Sequence, residues 1–518
     1  MKRVSPHEWG RLMFGVTLAL SILVRVFPGM LVSFPINDGG MFLVMARDLQ
    51  QNGFVLPAFT TYNRAHIPFA YPPLGFYVTG ALSTLGLPEL VIVQWLPIVL
   101  SCLAVIPAFY LAEAILKNRA QAAVATILYA LIPGSYDLGV MGGGLTRGFG
   151  LLFLRLAMYA AFRLFEAPSL RRALLTVAFC SLAVLSHPEA ILATATGIAL
   201  IWLFHGRTRG KILAGALVAT GTLVLTAPWW ASVLARHGTA PFLSAMQTGA
   251  HGASPFTSIF VGLFSPASLF TLRGLMRLAG ILWGLRTRRY FLVAWVLLPY
   301  VVEPRSAPAV AAIPTAMLTG LLLTESLPRL YGWLRGRLQM PREARPFTEQ
   351  RWFTASILLL MFGLFLASAL HDFTVANTTL KGPEPMALMD WVIEGTAEDS
   401  EFVILSGNTG VATDPIQEWF PALTGRRSQT TSQGLEWTLG SGFLRRVSQL
   451  IELQRCQDLT CVEDWSAGTG LGYTHLLLER NELTRAMVAS VEEDDAFNLI
   501  YENPRYLLYQ AQDGDGAP

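Results

Sequence analysis

Asp38 stands in Phe34-Pro35-Ile36-Asn37-Asp38-Gly39-Gly40, directly after the first long apolar run of the chain. A carboxylate at a membrane boundary is costly unless it is paired, hydrated or used. It can take a proton from a nucleophile or hold a cation. A plainer role fits as well: an Asp before Gly-Gly and the amphipathic stretch Met41 to Arg47 can cap a helix. The two roles are compatible. The loop that follows holds Arg47, Arg64 and His66 and closes on Tyr71-Pro72-Pro73-Leu74. Three other places carry chemistry. In His187-Pro188-Glu189 the proline breaks a helix between two apolar runs. Its His and Glu then either bind phosphate, metal or acceptor, or simply satisfy the span ends as a polar turn. Gly142-Gly143-Gly144-Leu145-Thr146-Arg147-Gly148-Phe149-Gly150 opens a span, with amides that can face an anion beside Arg147. The plainer reading there is close helix packing. It is not a Walker or dinucleotide loop, because no strand precedes it and no Gly-Lys-Ser/Thr follows. In Glu303-Pro304-Arg305 the guanidinium suits a lipid phosphate or anchors a helix at the interface. His251 is a weaker candidate, in a loop that could gate an acceptor.

The elements that position these groups follow from composition. The chain has 518 residues, 53% hydrophobic and 14% charged, with mean hydropathy +0.46. Soluble domains carry about 25% charged residues, and many apolar runs here reach or approach the ~20 residues that cross a bilayer. The composition therefore predicts a polytopic membrane protein. The first run, 12–34, lacks a small-residue cleavage site and reads as a retained span. Charge is split along the chain: residues 372–518 hold 9 Lys+Arg and 23 Asp+Glu, and residues 1–371 hold 29 and 12. Basic residues in short inter-span loops mark the cytoplasmic side. Their scatter offers no surface to nucleic acid.

Placing the basic clusters inside predicts about eleven transmembrane helices, at 12–34, 91–116, 120–136, 148–165, 173–186, 188–204, 211–229, 273–285, 290–302, 306–327 and 352–371. An odd count leaves the N-terminus cytoplasmic and the acidic tail outside the plasma membrane. Parity keeps the apolar segment 73–87 lying on, or dipping into, the outer face. The outer loops are then 35–90, 134–147, 187–189, 230–272 and 303–305, and 335–351 is a cytoplasmic linker. Asp38, Asp48, Asp137, Glu189 and Glu303 all map outside, and no carboxylate falls clearly at mid-span. That favours a site at the outer interface over a conduction path. Arg25 and Arg155 lie within spans, where a charge marks function or an internal partner.

The chain thus divides into an all-α polytopic membrane domain, 1–371, and a small extracytoplasmic α/β domain, 372–518. In the tail a helix is expected over 385–394 and strands over 401–405, 474–478, 498–501 and 506–509. Cys456 and Cys461 lie in the tail; if it is outside they are either a disulfide pair or two unrelated thiols. Asp414 to Pro421 and Gln433 to Trp437 combine acids with tryptophan, which either stack on sugars or form half-buried core.

The acid after the first span, the long outer loop, Tyr71-Pro72-Pro73-Leu74 and Pro228-Trp229 resemble the polyprenyl-phosphate-sugar-dependent glycosyltransferases of the GT-C superfamily. The resemblance covers about residues 1–330 and is nearest to the protein O-mannosyltransferase and lipid A aminoarabinose transferase branch. It implies an outer cavity near Asp38 and inverting transfer of a sugar from a lipid phosphate carrier to an extracytoplasmic acceptor, whether protein, lipid or cell-wall glycan. It implies Asp38 as the catalytic acid, serving as base or as ligand of a divalent metal such as Mg or Mn. His187 and Glu189 are further candidate metal ligands. Arg305, Arg147, His187, Glu189, Glu303, His66 and Arg64 are candidates for holding substrate or phosphate. Asn37 stands where these loops often carry a second acid, and Glu418-Trp419-Phe420 only faintly echoes the Trp-Trp-Asp-Tyr-Gly motif of oligosaccharyltransferases. Two other classes compete: a transporter or flippase of a lipid-linked substrate, which predicts inverted repeats that are not evident, and a non-catalytic scaffold displaying the tail.

Overall fold

The computed structural model describes residues 5–512, apart from 134, 248–254, 266–268 and 338–346. His251 lies outside the described residues. Helix α1 (Pro6–Met30) starts at a capping box: Ser5 Oγ accepts the Glu8 N–H at 3.2 Å and Glu8 Oε2 accepts the Ser5 N–H at 2.9 Å. A helix lies over each of the eleven expected spans. Among the described residues, six helical segments are long and apolar enough to cross a membrane: Pro6–Met30, Glu89–Leu116, Gly144–Glu166, Pro188–His205, Arg209–His237 and Arg351–Ala376. The protein is a multi-pass membrane protein. Leu213, Leu223, Val224 and Leu225 are exposed on the Arg209–His237 helix, as a lipid-facing surface requires.

The helix Arg119–Leu131 sits at the centre of the bundle. Ala122, Ala123, Val124, Ile127, Leu128, Ala130 and Leu131 on it are fully buried. Its alanines let neighbours approach closely. A Cβ on Gly320 of the Ala312–Arg337 helix would lie 3.1 Å from the Ala125 backbone nitrogen. Small residues are the means of tight packing where lipid and core are equally apolar.

One expectation about loops changes. The span expected to stop at 229 continues to His237, since Pro228 is accommodated inside the helix, and Ala240–Gln247 and Pro255–Phe264 are helical too. Most of the described part of loop 230–272 is thus helix. The segment within 73–87 is the eleven-residue helix α3 (Leu74–Thr84). At 1.5 Å per residue it rises about 16 Å, roughly half of a bilayer core.

Beyond Ala376 the chain builds a five-stranded sheet, with β1 (Glu401–Leu405), β2 (Arg427–Ser428), β3 (His475–Glu479), β4 (Phe497–Glu502) and β5 (Tyr506–Ala511) in the order β2-β1-β3-β5-β4. β1 runs parallel to β2 and β3, and β5 is antiparallel to β3 and β4. Strand side chains alternate between faces, so one sheet serves two cores. Val403, Leu405, Leu476 and Leu507 pack with Leu450, Val462 and Trp465 of the tail. Phe402, Ile404, Leu477 and Leu508 pack instead with Met41, Tyr62, Phe69 and Tyr71 of the long first loop, 35–90. Cys456 and Cys461 form a disulfide, their Cα atoms 5.6 Å apart.

Candidate active site

Asp38 is held by backbone on several sides. Asn37, in the left-handed region at φ 58°, donates its N–H to Thr378 O at 2.6 Å, just past the last span. Ile36 O accepts the Gly142 N–H at 2.9 Å. Asn37 O accepts the Trp419 indole N–H at 2.9 Å. These bonds fix the direction in which the carboxylate leaves the chain. Asp38 Oδ1 then accepts the Gly143 N–H at 2.6 Å. The approach needs glycine: a Cβ on Gly143 would fall 2.1 Å from Asp38 Oδ2, and one on Gly142 would fall 1.8 Å from Asp38 O. The amides of the glycine run do meet an anion, and that anion is the chain's own Asp38.

Asp38 is not the cap of the helix that follows. Helix α2 (Gly40–Gln51) has Gly39 as its N-cap, with φ 123° and no side chain to offer. The cap comes from the other end of the chain. Glu418 Oε1, on the Pro415–Thr424 helix, accepts the Gly39 N–H at 2.8 Å and the Met41 N–H at 3.4 Å. Tyr62 fixes that helix in turn by donating its hydroxyl to Glu418 O at 2.8 Å.

The second wall is the corner of two spans. Pro188 opens the Pro188–His205 helix, and His187 caps it by accepting the Glu189 N–H on Nδ1 at 3.2 Å. Arg147, one turn into the Gly144–Glu166 helix, holds both Glu189 oxygens, at 3.2 and 3.3 Å. Tyr71 of the Tyr-Pro-Pro-Leu segment packs edge-on to His187 and to Trp437 of the tail, each ring 5.6 Å away. Arg305 is exposed and forms no ion pair or hydrogen bond among the described residues, and its charge reaches Asp38, His187 and Glu436. Glu303 caps the C-terminal end of the Tyr290–Val302 helix beside it.

Burial raises Asp38 above the ordinary carboxylate value, against the Gly143 amide and the charges of Arg147 and Arg305, which lower it. Burial first, and then Asp38, pushes Glu418 up to about 8. Two acids that share one desolvated corner do not both ionise readily. Burial also raises Glu436 and pushes His187 down to about 3. The imidazole is therefore neutral, and with Nδ1 accepting, its proton is assigned to Nε2.

Of the residues singled out in the sequence, Asp38, Arg147, His187, Glu189 and Arg305 come together. Arg147 is engaged with Glu189, so it adds field and rigidity rather than an open clamp. Arg64 and His66, both exposed in a left-handed stretch of the first loop, go elsewhere: Arg64 pairs with Glu398 at 3.7 Å and His66 packs edge-on to Phe59. Asp38, His187 and Glu189 do not form a three-donor set, and among the described residues no cluster of three His, Cys, Asp or Glu is placed to hold a metal ion. Glu418 and Glu436 are the residues that sequence reasoning left in the tail's core. Their only signal was an acid beside a tryptophan.

No protein-family profile matches the chain, and no curated protein matches it in sequence. Solved structures do match in fold. The archaeal oligosaccharyltransferase AglB from Archaeoglobus fulgidus, in complex with an inhibitory peptide and a dolichol-phosphate, is similar at TM-score 0.56 and 12% identity, over 98% of this chain and 74% of that one. ArnT from Cupriavidus metallidurans in the apo state is similar at TM-score 0.55 and 15% identity, over 97% of both chains. ArnT bound to undecaprenyl phosphate is similar at TM-score 0.53 and 15% identity, over 97% of this chain and 98% of that one.

Proposed function

We propose that this chain, which has the fold of the GT-C membrane glycosyltransferases, moves a sugar from a polyprenyl-phosphate donor to an acceptor outside the plasma membrane. The observation that carries this reading is Asp38, a half-buried carboxylate held on the Gly143 amide and flanked by the charges of Arg147 and Arg305 at the ends of apolar helices. AglB with a dolichol-phosphate and ArnT with undecaprenyl phosphate support the kind of donor. Asp38 takes the proton of the acceptor nucleophile as its oxygen or nitrogen attacks the anomeric carbon. The bond from that carbon to the phosphate oxygen breaks on the opposite side, which inverts the centre. Arg305 meets the charge that develops on the departing phosphate. Burial strengthens Asp38 as a base, because a carboxylate raised in pKa binds the proton better. Arg147, Glu189 and His187 hold the corner rigid. The tail lies over the site, and this fits the N-terminus inside and residues 372–518 outside.

The test is transfer of radiolabelled sugar from lipid-linked donors by the purified chain and by Asp38→Asn. A base in this position contributes about 100-fold or more, so the variant should fall by that factor with its melting temperature unchanged. Equal rates for the two proteins would refute the assignment. A transporter would instead move lipid across vesicles without any transfer.

A further inference from the structure

Two features of the tail are not used by the site at Asp38: an apolar side chain left exposed, and two neighbouring arginines left without partners. Both lie on the helix Phe443–Leu453. Val447, Leu450, Ile451 and Leu453 bury one side of that helix in the tail's own core. Leu444, on another side, is 61% exposed. Arg445 is exposed and Arg446 half-buried, and neither forms a hydrogen bond or ion pair among the described residues. Other arginines of the tail are engaged: Arg427 with Glu401, Arg480 with Glu502, Arg485 with Glu482 and Arg505 with Glu479. Two adjacent guanidinium groups without an acid stand out in a segment that holds 23 Asp+Glu against 9 Lys+Arg. The place of the helix says what it meets. The span Arg209–His237 ends at Gly238, φ 64°, where the chain turns into the helix Ala240–Gln247. Ser244 on that helix donates its hydroxyl to Glu436 O at 2.8 Å and accepts the Gly440 N–H at 2.7 Å. Residues 435–442 are thereby clamped to the end of a span, and Phe443–Leu453 follows them directly. Leu243, Met246 and Leu439 at this junction are exposed as well. They continue the apolar surface that Leu223, Val224, Leu225 and Leu234 present on the span.

We propose that Leu444, Arg445 and Arg446 dock the tail on the membrane surface, with the two guanidinium groups on anionic phospholipid headgroups. An exposed apolar strip that continues a lipid-facing helix, with free arginines at its edge, is the composition of an interfacial segment. Guanidinium donors fit phosphate oxygens in pairs. Each basic residue near an anionic surface strengthens the attraction about fivefold. The leucine enters the headgroup boundary, and the arginine stems lie along it with their charges in water. A protein partner could use an apolar and basic patch too, but the continuity with the span favours lipid. The same clamped segment carries Trp437, which packs against Tyr71, so the docking surface and the wall of the candidate site share one support. Docking of this kind is independent of the transferase reading.

The test puts a fluorophore beside the patch through Ser448→Cys, an exposed position one turn from Leu444, with Cys102→Ala removing the half-exposed native thiol. The full chain is placed in nanodiscs of phosphatidylcholine, alone or with one phosphatidylglycerol in three, each doped with phosphatidylcholine spin-labelled on its headgroup. Quenching should rise about twofold or more with phosphatidylglycerol and fall back in high salt. Arg445→Gln combined with Arg446→Gln should remove the response to phosphatidylglycerol and leave the melting temperature unchanged. Leu444→Ser should lower quenching in both lipids. Equal quenching of the parent in the two lipids, or a response to phosphatidylglycerol that survives in the double variant, would overturn the proposal. Absence of quenching in either lipid would overturn it as well and give the patch to a protein partner.

Discussion

Asp38 depends on residues that have no chemistry of their own. Gly143 is the sharpest case, since a methyl group there would meet the carboxylate at 2.1 Å. Gly143→Ala should therefore cost transfer nearly as much as Asp38→Asn, about 100-fold. Gly15→Ala, which adds a Cβ where nothing lies within 4 Å, should leave transfer unchanged, and the two rates measured side by side check this. Glu418 gives a dependence on pH. Its folded value of about 8 stands above the ordinary 4.5, so its protonated form favours folding. That stability is complete below 4.5 and is lost as pH rises through 8. Glu418→Gln should gain in melting temperature relative to the parent between pH 5 and 9. Asp38 ionises while Glu418 is still protonated, so the rising limb of the rate–pH profile should stay in place in Glu418→Gln, and any change should fall near pH 8 and above.

At the scale of elements, the pairing of Arg147 with Glu189 ties the start of one span to the start of another. Both side chains are largely buried, 15% and 17% exposed. Breaking such a pair from one side leaves an uncompensated charge and costs about 3 kcal/mol or more. Arg147→Gln should lower the thermal stability in detergent by that order, and the double change Arg147→Gln with Glu189→Gln should recover part of it. A double variant no more stable than the single would mean that the pair is not what holds the corner. Helix α2 shows a different dependence. Its own N-cap is a glycine, and the missing acceptor arrives from Glu418, some 380 residues away in sequence but bonded at 2.8 Å. A cap is worth about 1 kcal/mol, and this one also decides where the backbone beside Asp38 lies.

Across the whole molecule, the tail and the long first loop share one apolar core on one face of the sheet. Trp419 is its centre, fully buried, edge-on to Phe34 at 4.7 Å and bonded to Asn37 O. Trp419→Ala removes the anchor next to the candidate base and should destabilise the protein by about 3–5 kcal/mol. Transfer should fall further than the folded fraction does, because the loss loosens Asn37 and with it Asp38. Limited proteolysis should cut the first loop faster in this variant. Cleavage at the parent's rate would show that the loop is held without the tail.

Much was legible in the sequence because it rests on local composition. Apolar run length gave the helices, period and turn residues gave β1, β3, β4 and β5, and an acid in a polar break gave Asp38 and the His187-Pro188-Glu189 corner. The roles were legible only in part. Asp38 read equally well as a helix cap, the glycine amides as a phosphate cradle and Arg147 as a clamp, because sequence shows which groups are near in the chain and not which partners they find. Tertiary structure gave the cap to Glu418, the amide to Asp38 and the guanidinium to Glu189. Hydrogen bonds and ion pairs form between whichever groups the packed helices bring within about 3 Å, and that proximity is a property of the folded chain alone.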